Sequence, residues 1–462
     1  MKRGFALVAV LLLSGCAAVG EGPSASSVRV PATFVYAAPT EARDVLASLL
    51  PNEDPAFRTL VAAVDADAPD LQVALARVAA ARAALRGAGA TRAPNVQAQG
   101  GAGYSRGSEN TITNLPPGTV IDTSNANYSL GINASWDLDL FGRLRSSQRA
   151  AALRLDAADA DARAVRLTLV ADIARTVVDY RTAQAKLQIT DDDLADASAL
   201  VKLTGTRTRA GIAPGLDLVR AQSLEAAARS QRSPAHAELA AALGRLVTLT
   251  ARDGSSVSAA FAGATENRPT VLPSVGLPSI LLRQRPDIIA AEYRLGAANA
   301  EIAAAAAARF PQISINAALG LAALALGDVF SADSLTASLG GSLAGPLLDF
   351  GRVAAQIDAR QAGANEAFAV YRRAVFVGIG EAETALGTLQ ANRNRLAALE
   401  AQIAIEQDSV RLSATRYRMG LSDFLGVIDA QRQLNAARQA LTEAKGNVAR
   451  AEIGVYRSFG GS

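Results

Sequence analysis

"SWDLDLFGRLRS", Ser135 to Ser146, ends an alternating apolar stretch and opens a long run without proline. "AGPLLDFGRVAA", Ala344 to Ala355, makes the same transition a second time. Ahead of the first, "ANYSLGINASWDL" sets Tyr128, Leu130, Ile132, Ala134, Trp136 and Leu138 on one face. Asn127, Ser129, Gly131, Asn133, Ser135 and Asp137 take the other. Ahead of the second, "QISINAALGLA" and "SLTASLGGSLAG" alternate in the same way. A period of two is that of a strand with unlike faces. Small polar residues on the second face suit a membrane strand with lipid on one side and water on the other. A soluble half-buried sheet shows the same period, so the alternation alone leaves both readings open.

Beyond each transition the pattern changes. Residues 142–208 and 351–418 contain no proline, and apolar positions such as Val353, Ile357, Ala364 and Phe368 recur at helical spacings. At 1.5 Å per residue each stretch predicts a helix of about 100 Å, a coiled-coil stalk or the stave of a tube.

The whole grammar is written twice. Pro69-Asp70 and Pro286-Asp287 lie 217 positions apart, as do Arg92 and Pro94 from Arg309 and Pro311. After the strands the offset becomes 209, carrying Phe141-Gly142-Arg143 onto Phe350-Gly351-Arg352, and Arg209 and Gly211 onto Arg418 and Gly420. The difference falls in the Gly/Asn/Pro-rich loop of the first copy. The division that follows is a segment 16–68, a first repeat 69–266, a Pro-rich linker 267–285 and a second repeat 286–462. Each repeat has a helix of about 25 residues, strands (about 95–138 and 311–345), a long helix and a returning helix. Pro234 is expected to break the first returning helix, and the second, about 423–457, has no such break.

Composition bounds the chemistry. Half of the 462 residues are hydrophobic but only 5% are aromatic, and alanine favours slender helix packing. The 46 basic and 43 acidic residues are mixed along the chain, with no basic block to suggest nucleic acid. His236 is the only histidine, which removes His-based metal sites and Ser-His triads. No GxxxxGK[ST] motif occurs, so no P-loop powers the protein. The acidic clusters Asp191–Asp193 and "DADAPD" read as solvated helix faces and a helix start. No cofactor is expected apart from a covalent lipid. Lys2 and Arg3 precede "FALVAVLLL" and then "LSGC", a secretory signal over residues 1–15 whose end resembles a lipobox. Cys16, the single cysteine, would then be diacylated, and Ala17 favours the outer membrane. No later stretch suggests a membrane helix, so a spanning part must be built from strands. Four strands leave open edges in lipid; three copies would give a twelve-stranded pore.

With the lipobox, the repeat, the strand pairs and the long helices in this order, the chain resembles the outer membrane factors, the TolC-like channels, in their NodT-type lipoprotein branch. "LPSVGLPSILLRQRPDIIAAE", Leu272 to Glu292, carries the likeness most specifically. "ARFPQISI", the two FGR motifs and the tips "RAGIAPGLDLVRAQ" and "RYRMGLSDFLGVIDAQ" agree with it. The resemblance implies an α+β membrane protein: a homotrimer with a twelve-stranded barrel in outer-membrane lipid, continuous with a long α-helical periplasmic barrel. It also implies an efflux channel that receives cargo from an inner-membrane pump through a periplasmic adaptor, and not an enzyme. Type I protein secretion and, in another class, a structural coiled-coil lipoprotein or adhesin are the alternatives.

Site residues follow from the same likeness. Asp423 matches the acidic constriction of the periplasmic gate, where three copies would favour cations; an ordinary helix N-cap explains it equally. Arg209, Arg416, Tyr417 and Arg418 would bridge neighbouring helices in the closed state, or else be solvated groups near helix ends. Gly211, Ile212, Gly420 and Leu421 would dock the adaptor, or the glycines simply end helices. At the strand-to-helix joints Gly142 and Gly351 permit a sharp turn, Phe141 and Phe350 lie at the membrane boundary, and Arg143 and Arg352 stand in water beyond it. Tyr128, Trp136 and Phe310 read either as interfacial aromatics or as core.

Overall fold

Strands form where the alternation places them: β1 (Asn95–Arg106), β2 (Ser124–Asp137), β3 (Gln312–Ala323) and β4 (Leu335–Ala344). The computed structural model describes residues 22–31, 33–36, 46–108, 123–263 and 283–461. The strands make one antiparallel four-stranded sheet in chain order. Its register keeps the two faces apart. One rung joins Val96, Ala134, Ala317 and Leu339, and another joins Ala98, Ile132, Leu319 and Ala337. On the opposite face Gln97, Asn133, Ala318 and Ser338 share a rung, as do Gln99, Gly131, Gly320 and Thr336. A soluble sheet covers its apolar face. Here Ile132 is 52% exposed, Leu319 57% and Leu339 80%. An uncovered apolar face of this size marks an interaction surface, and lipid is the solvent that suits it. Among the described residues no helix is long and apolar enough to cross a membrane.

The helices are α1 (Pro55–Asp67), α2 (Pro69–Ala90), α3 (Arg143–Arg209), α4 (Gly215–Ser230), α5 (Arg232–Thr250), α6 (Gly254–Ala260), α7 (Pro286–Ala306), α8 (Arg352–Arg418) and α9 (Leu425–Ser458). Both α3 and α8 run for 67 residues, as the proline-free stretches predict. The break expected at Pro234 falls at Gln231 instead, and Pro234 sits in the first turn of α5. The reason is local. Proline lacks an N–H and its ring crowds the carbonyl four residues earlier, so the interruption appears upstream while the ring fits an N-terminal turn.

The chain divides into two units. The first takes Met1–Ser27, Ala79–Ala157 and Glu292–Tyr371, and contains the sheet. In it Phe141 stacks on Phe310 with centroids 4.7 Å apart, and Trp136 Nε1 donates to the Arg92 carbonyl at 2.9 Å. The second takes Val28–Val78, Ala158–Ala291 and Arg372–Ser462 and holds the main hydrophobic core. That core gathers Leu60 and Val64 of α1, Ile173 and Val177 of α3, Leu246 of α5, Leu389 of α8, and Val448 and Phe459. Ion pairs lace its surface: Lys186 reaches Glu238 and Glu443, Arg450 reaches Asp179, and buried Asp54 holds Arg181 at 2.9 Å.

Two features of this unit qualify the sequence reading. Asp193 is not a solvated residue of an acidic cluster. Its side chain is 4% exposed and faces Arg438 at 3.4 Å across α3 and α9. The "RPD" of the family-like signature is a clamp. Buried Arg285 donates to the Ser458 carbonyl at 2.9 Å and pairs with Asp287 and Glu381, tying the start of α7 to the end of α9.

Candidate functional site

At the first joint the chain must leave a strand and enter a helix within five residues. Asp139 (φ 46) and Gly142 (φ 75) take left-handed backbone there. The Asp139 carboxylate accepts the N–H groups of Leu144 at 2.8 Å and Arg145 at 2.7 Å, satisfying two of the donors that open α3. Arg143, partly exposed, donates to Asp137 at 2.6 Å, back on the strand. At the second joint the geometry shifts by one residue. Phe350 (φ 51) and Gly351 (φ 87) are left-handed, and Asp349 accepts from Gly351 at 3.1 Å and Val353 at 3.0 Å. Those backbone N–H groups hold the Asp349 carboxyl below the usual carboxylate range. Phe141 packs on Phe310, whereas Phe350 is 91% exposed. The two joints therefore share a motif and differ in what covers it.

The far ends of α3 and α8 lie in the second unit and close alike. Gly211 (φ 71) and Gly420 (φ 73) follow the last turns. Ile212 N–H donates to the Arg207 carbonyl at 3.0 Å and Leu421 N–H to the Arg416 carbonyl at 2.9 Å. Gly211 and Gly420 donate to Thr208 and Tyr417, completing a Schellman cap at each end. Ile212 and Leu421 project outward, 65% and 66% exposed.

Beyond this shared cap the tips part company. Tyr417 is buried, and its hydroxyl donates to Asp217 Oδ2 at 3.1 Å, joining α8 to the first turn of α4. The Arg207 guanidinium lies 4.8 Å from the centre of the same ring, and Phe424 packs against it at 5.1 Å. Burial, with the Asp217 carboxylate beside it, pushes the Tyr417 hydroxyl above its ordinary pKa, so it remains a donor at neutral pH. Asp423 is exposed and accepts the Gly426 N–H at 3.4 Å, a weak cap from two residues ahead of α9. Arg209 and Arg418 turn back on their own helices, donating to the Gly205 and Ala414 carbonyls, and Arg416 is exposed. The structure thus brings Tyr417 together with Asp217 and Arg207, neither of which the sequence reading singled out. A signal was present: the repeat offset sets Tyr417 opposite Thr208, Asp217 opposite Gly426 and Asp423 opposite Pro214. Positions where two copies disagree at one tip are candidates for a task only one copy performs. Cys16 lies outside the described residues.

Among the described residues no group of His, Cys, Asp and Glu is placed to hold a metal ion. A family model described as outer membrane efflux protein matches residues 60–252 and 277–461, one match for each repeat. The pyoverdine export outer membrane protein OpmQ of Pseudomonas aeruginosa is 28% identical, over 99% of this chain and 97% of its own length. The cation efflux system protein CusC of Escherichia coli K12 is 30% identical, over 88% of this chain and 87% of its own. A crystal structure of CusC superposes with a TM-score of 0.83 at 28% identity, covering 96% of this chain and 99% of that one. The chain belongs to the outer membrane efflux protein family, and its four strands are one subunit's share of a trimeric outer-membrane barrel.

Proposed function

We propose that this channel conducts cargo passively, with no catalytic step, and that it is gated at the ends of α3 and α8. The reading rests on the buried Tyr417–Asp217 hydrogen bond, which ties one long helix to the helix returning from the other. Exposed Asp423 beside it is the acidic side chain that three copies would bring together, with Arg209, Arg416 and Arg418 in the same turns. Like carboxylates around one axis favour cations. Ile212 and Leu421, presented by their glycine caps, are the apolar contacts offered to the adaptor. Cys16 carries the lipid that anchors the chain. Passive conduction is supported by the polar sheet face. Among the described strand residues of that face Asp137 is the one charged group, and it is already paired with Arg143; Arg106 of β1 lies on the other face. OpmQ and CusC are named for unlike cargoes, pyoverdine and cations, so selection upstream of the channel is the simplest account.

Planar bilayer recording tests the gate. Tyr417→Phe removes one hydrogen bond and keeps the ring, so the open fraction should rise severalfold. Asp423→Ala should weaken cation preference. If both variants conduct and select like the parent, the gate does not lie here.

A further inference from the structure

The two offsets of the internal repeat act on strand pairing as well as on sequence. β1 and β3 differ by 217 positions at both ends, Asn95–Arg106 against Gln312–Ala323. Shifting the pair Asn95 and Ser135 of the first hairpin by 217 and 209 gives Gln312 and Ala344, which are paired in the second hairpin. The hairpins therefore have one register. A third seam, β2 against β3, joins the two repeats within the chain. The remaining edges, β4 and β1, are the repeat-equivalents of β2 and β3, and in lipid neither can stay open.

We infer that β4 pairs with β1 of a second copy in the register obtained by carrying the β2–β3 seam through the same offsets. This rests on the trimeric barrel described above and adds the register. It sets Leu339 opposite Tyr104 of the partner subunit and Ser338 opposite Ser105 of the partner subunit. Gly340 then faces Gly103 of the partner subunit. Each face meets its like along the seam, except that Ala337 meets Arg106 of the partner subunit at the strand end; a slip of one residue would reverse the faces.

The glycines supply an independent observation. Within the chain Gly131 faces Gly320, and the strands approach so closely that a Cβ would crowd backbone at Gly131 and collide with it at Gly320. It would lie 3.0 Å from the Leu319 carbonyl oxygen at Gly131, and 2.7 Å from the Leu130 carbonyl oxygen at Gly320. Their equivalents are Gly340 and Gly103. A Cβ on Gly340 would meet no heavy atom within 4 Å in the single chain. That space is open to another backbone on the β4 edge, whereas a Cβ on Gly103 would already clash with the Asn127 side chain of its own chain. The seams differ at the periplasmic end. Phe141 stacks on Phe310 inside the chain, but the equivalent of Phe310 is Ala93, so exposed Phe350 meets no aromatic across the subunit seam.

Cysteine pairs read the register directly, since Cys16 is the only native cysteine. In the full-length protein in detergent, Ser105→Cys with Ser338→Cys should form covalent dimers and trimers under mild oxidation or with a short bis-thiosulfonate. Ser105→Cys with Ser342→Cys, four residues out of register, should cross-link at least tenfold less. A trimer by detergent-extracted mass that cross-links through the second pair, or through neither, overturns the register. A monomeric mass overturns the barrel reading beneath it. Gly340→Val gives a second measure: the heat-resistant oligomer should be lost while the helical circular dichroism of the subunit persists. An unchanged oligomer would remove the argument from the glycines.

Discussion

Single residues carry the balance of charge in the second unit, and Asp193 shows how. Burial raises its pKa to about 6 in spite of Arg438, with Asp196 and Asp192 adding to the rise. A carboxyl with a folded pKa above its unfolded value contributes stability below the unfolded pKa, near 3.8, and loses that contribution as pH rises through about 6. At pH 8 the ionised form is a net cost. Asp193→Asn should therefore raise stability at pH 8 by about 1 kcal/mol and make no difference near pH 4, as denaturant titration at the two values would read. Arg285 acts in the opposite sense. Its buried guanidinium satisfies the Ser458 carbonyl, and the carboxylates it also holds are half-exposed. Arg285→Ala should cost about 2 kcal/mol and expose the end of α9 to limited proteolysis. Lysine should rescue little, because it lacks the planar fork.

At the scale of elements, the long helices depend on how they start and stop. Alanine-rich, proline-free sequence propagates a helix, but the chain arrives from a strand and must be turned into it. Asp139 does this for α3 by accepting two backbone donors, so Asp139→Ala should destabilise the first turn by about 1–2 kcal/mol. Hydrogen exchange should rise at Leu144 and Arg145 while the middle of α3 stays protected. The counterpart Asp349 reaches Gly351 and Val353 from one residue closer, which is why "DLFGR" and "DFGR" make similar joints with different lengths. Among strands the unit of stability is the rung. Every rung along the three seams pairs like face with like, and at Gly131 and Gly320 the facing backbones leave little room for a side chain.

For the whole molecule, the bare apolar face and the two open edges mean that one chain is not a finished protein. Extraction should require detergent, and the particle mass should be that of three chains in a heat-modifiable band; a monodisperse monomer in plain buffer would contradict the barrel. The sequence alone determined the elements, because periods of two and 3.6, proline spacing and a repeat at constant offsets are local properties that survive without neighbours. It also showed the Gly-ended tips and the FGR joints, whose turns depend on residue type. What only tertiary structure decided concerns partners far apart in the chain. It uncovered the apolar face that separates a membrane sheet from a soluble one, buried Asp193 beneath Arg438, turned "RPD" into a clamp on Ser458, and brought Tyr417 to Asp217. Each of these depends on which surfaces meet, and burial then sets the value of a charge or a hydrogen bond. No local pattern contains that information.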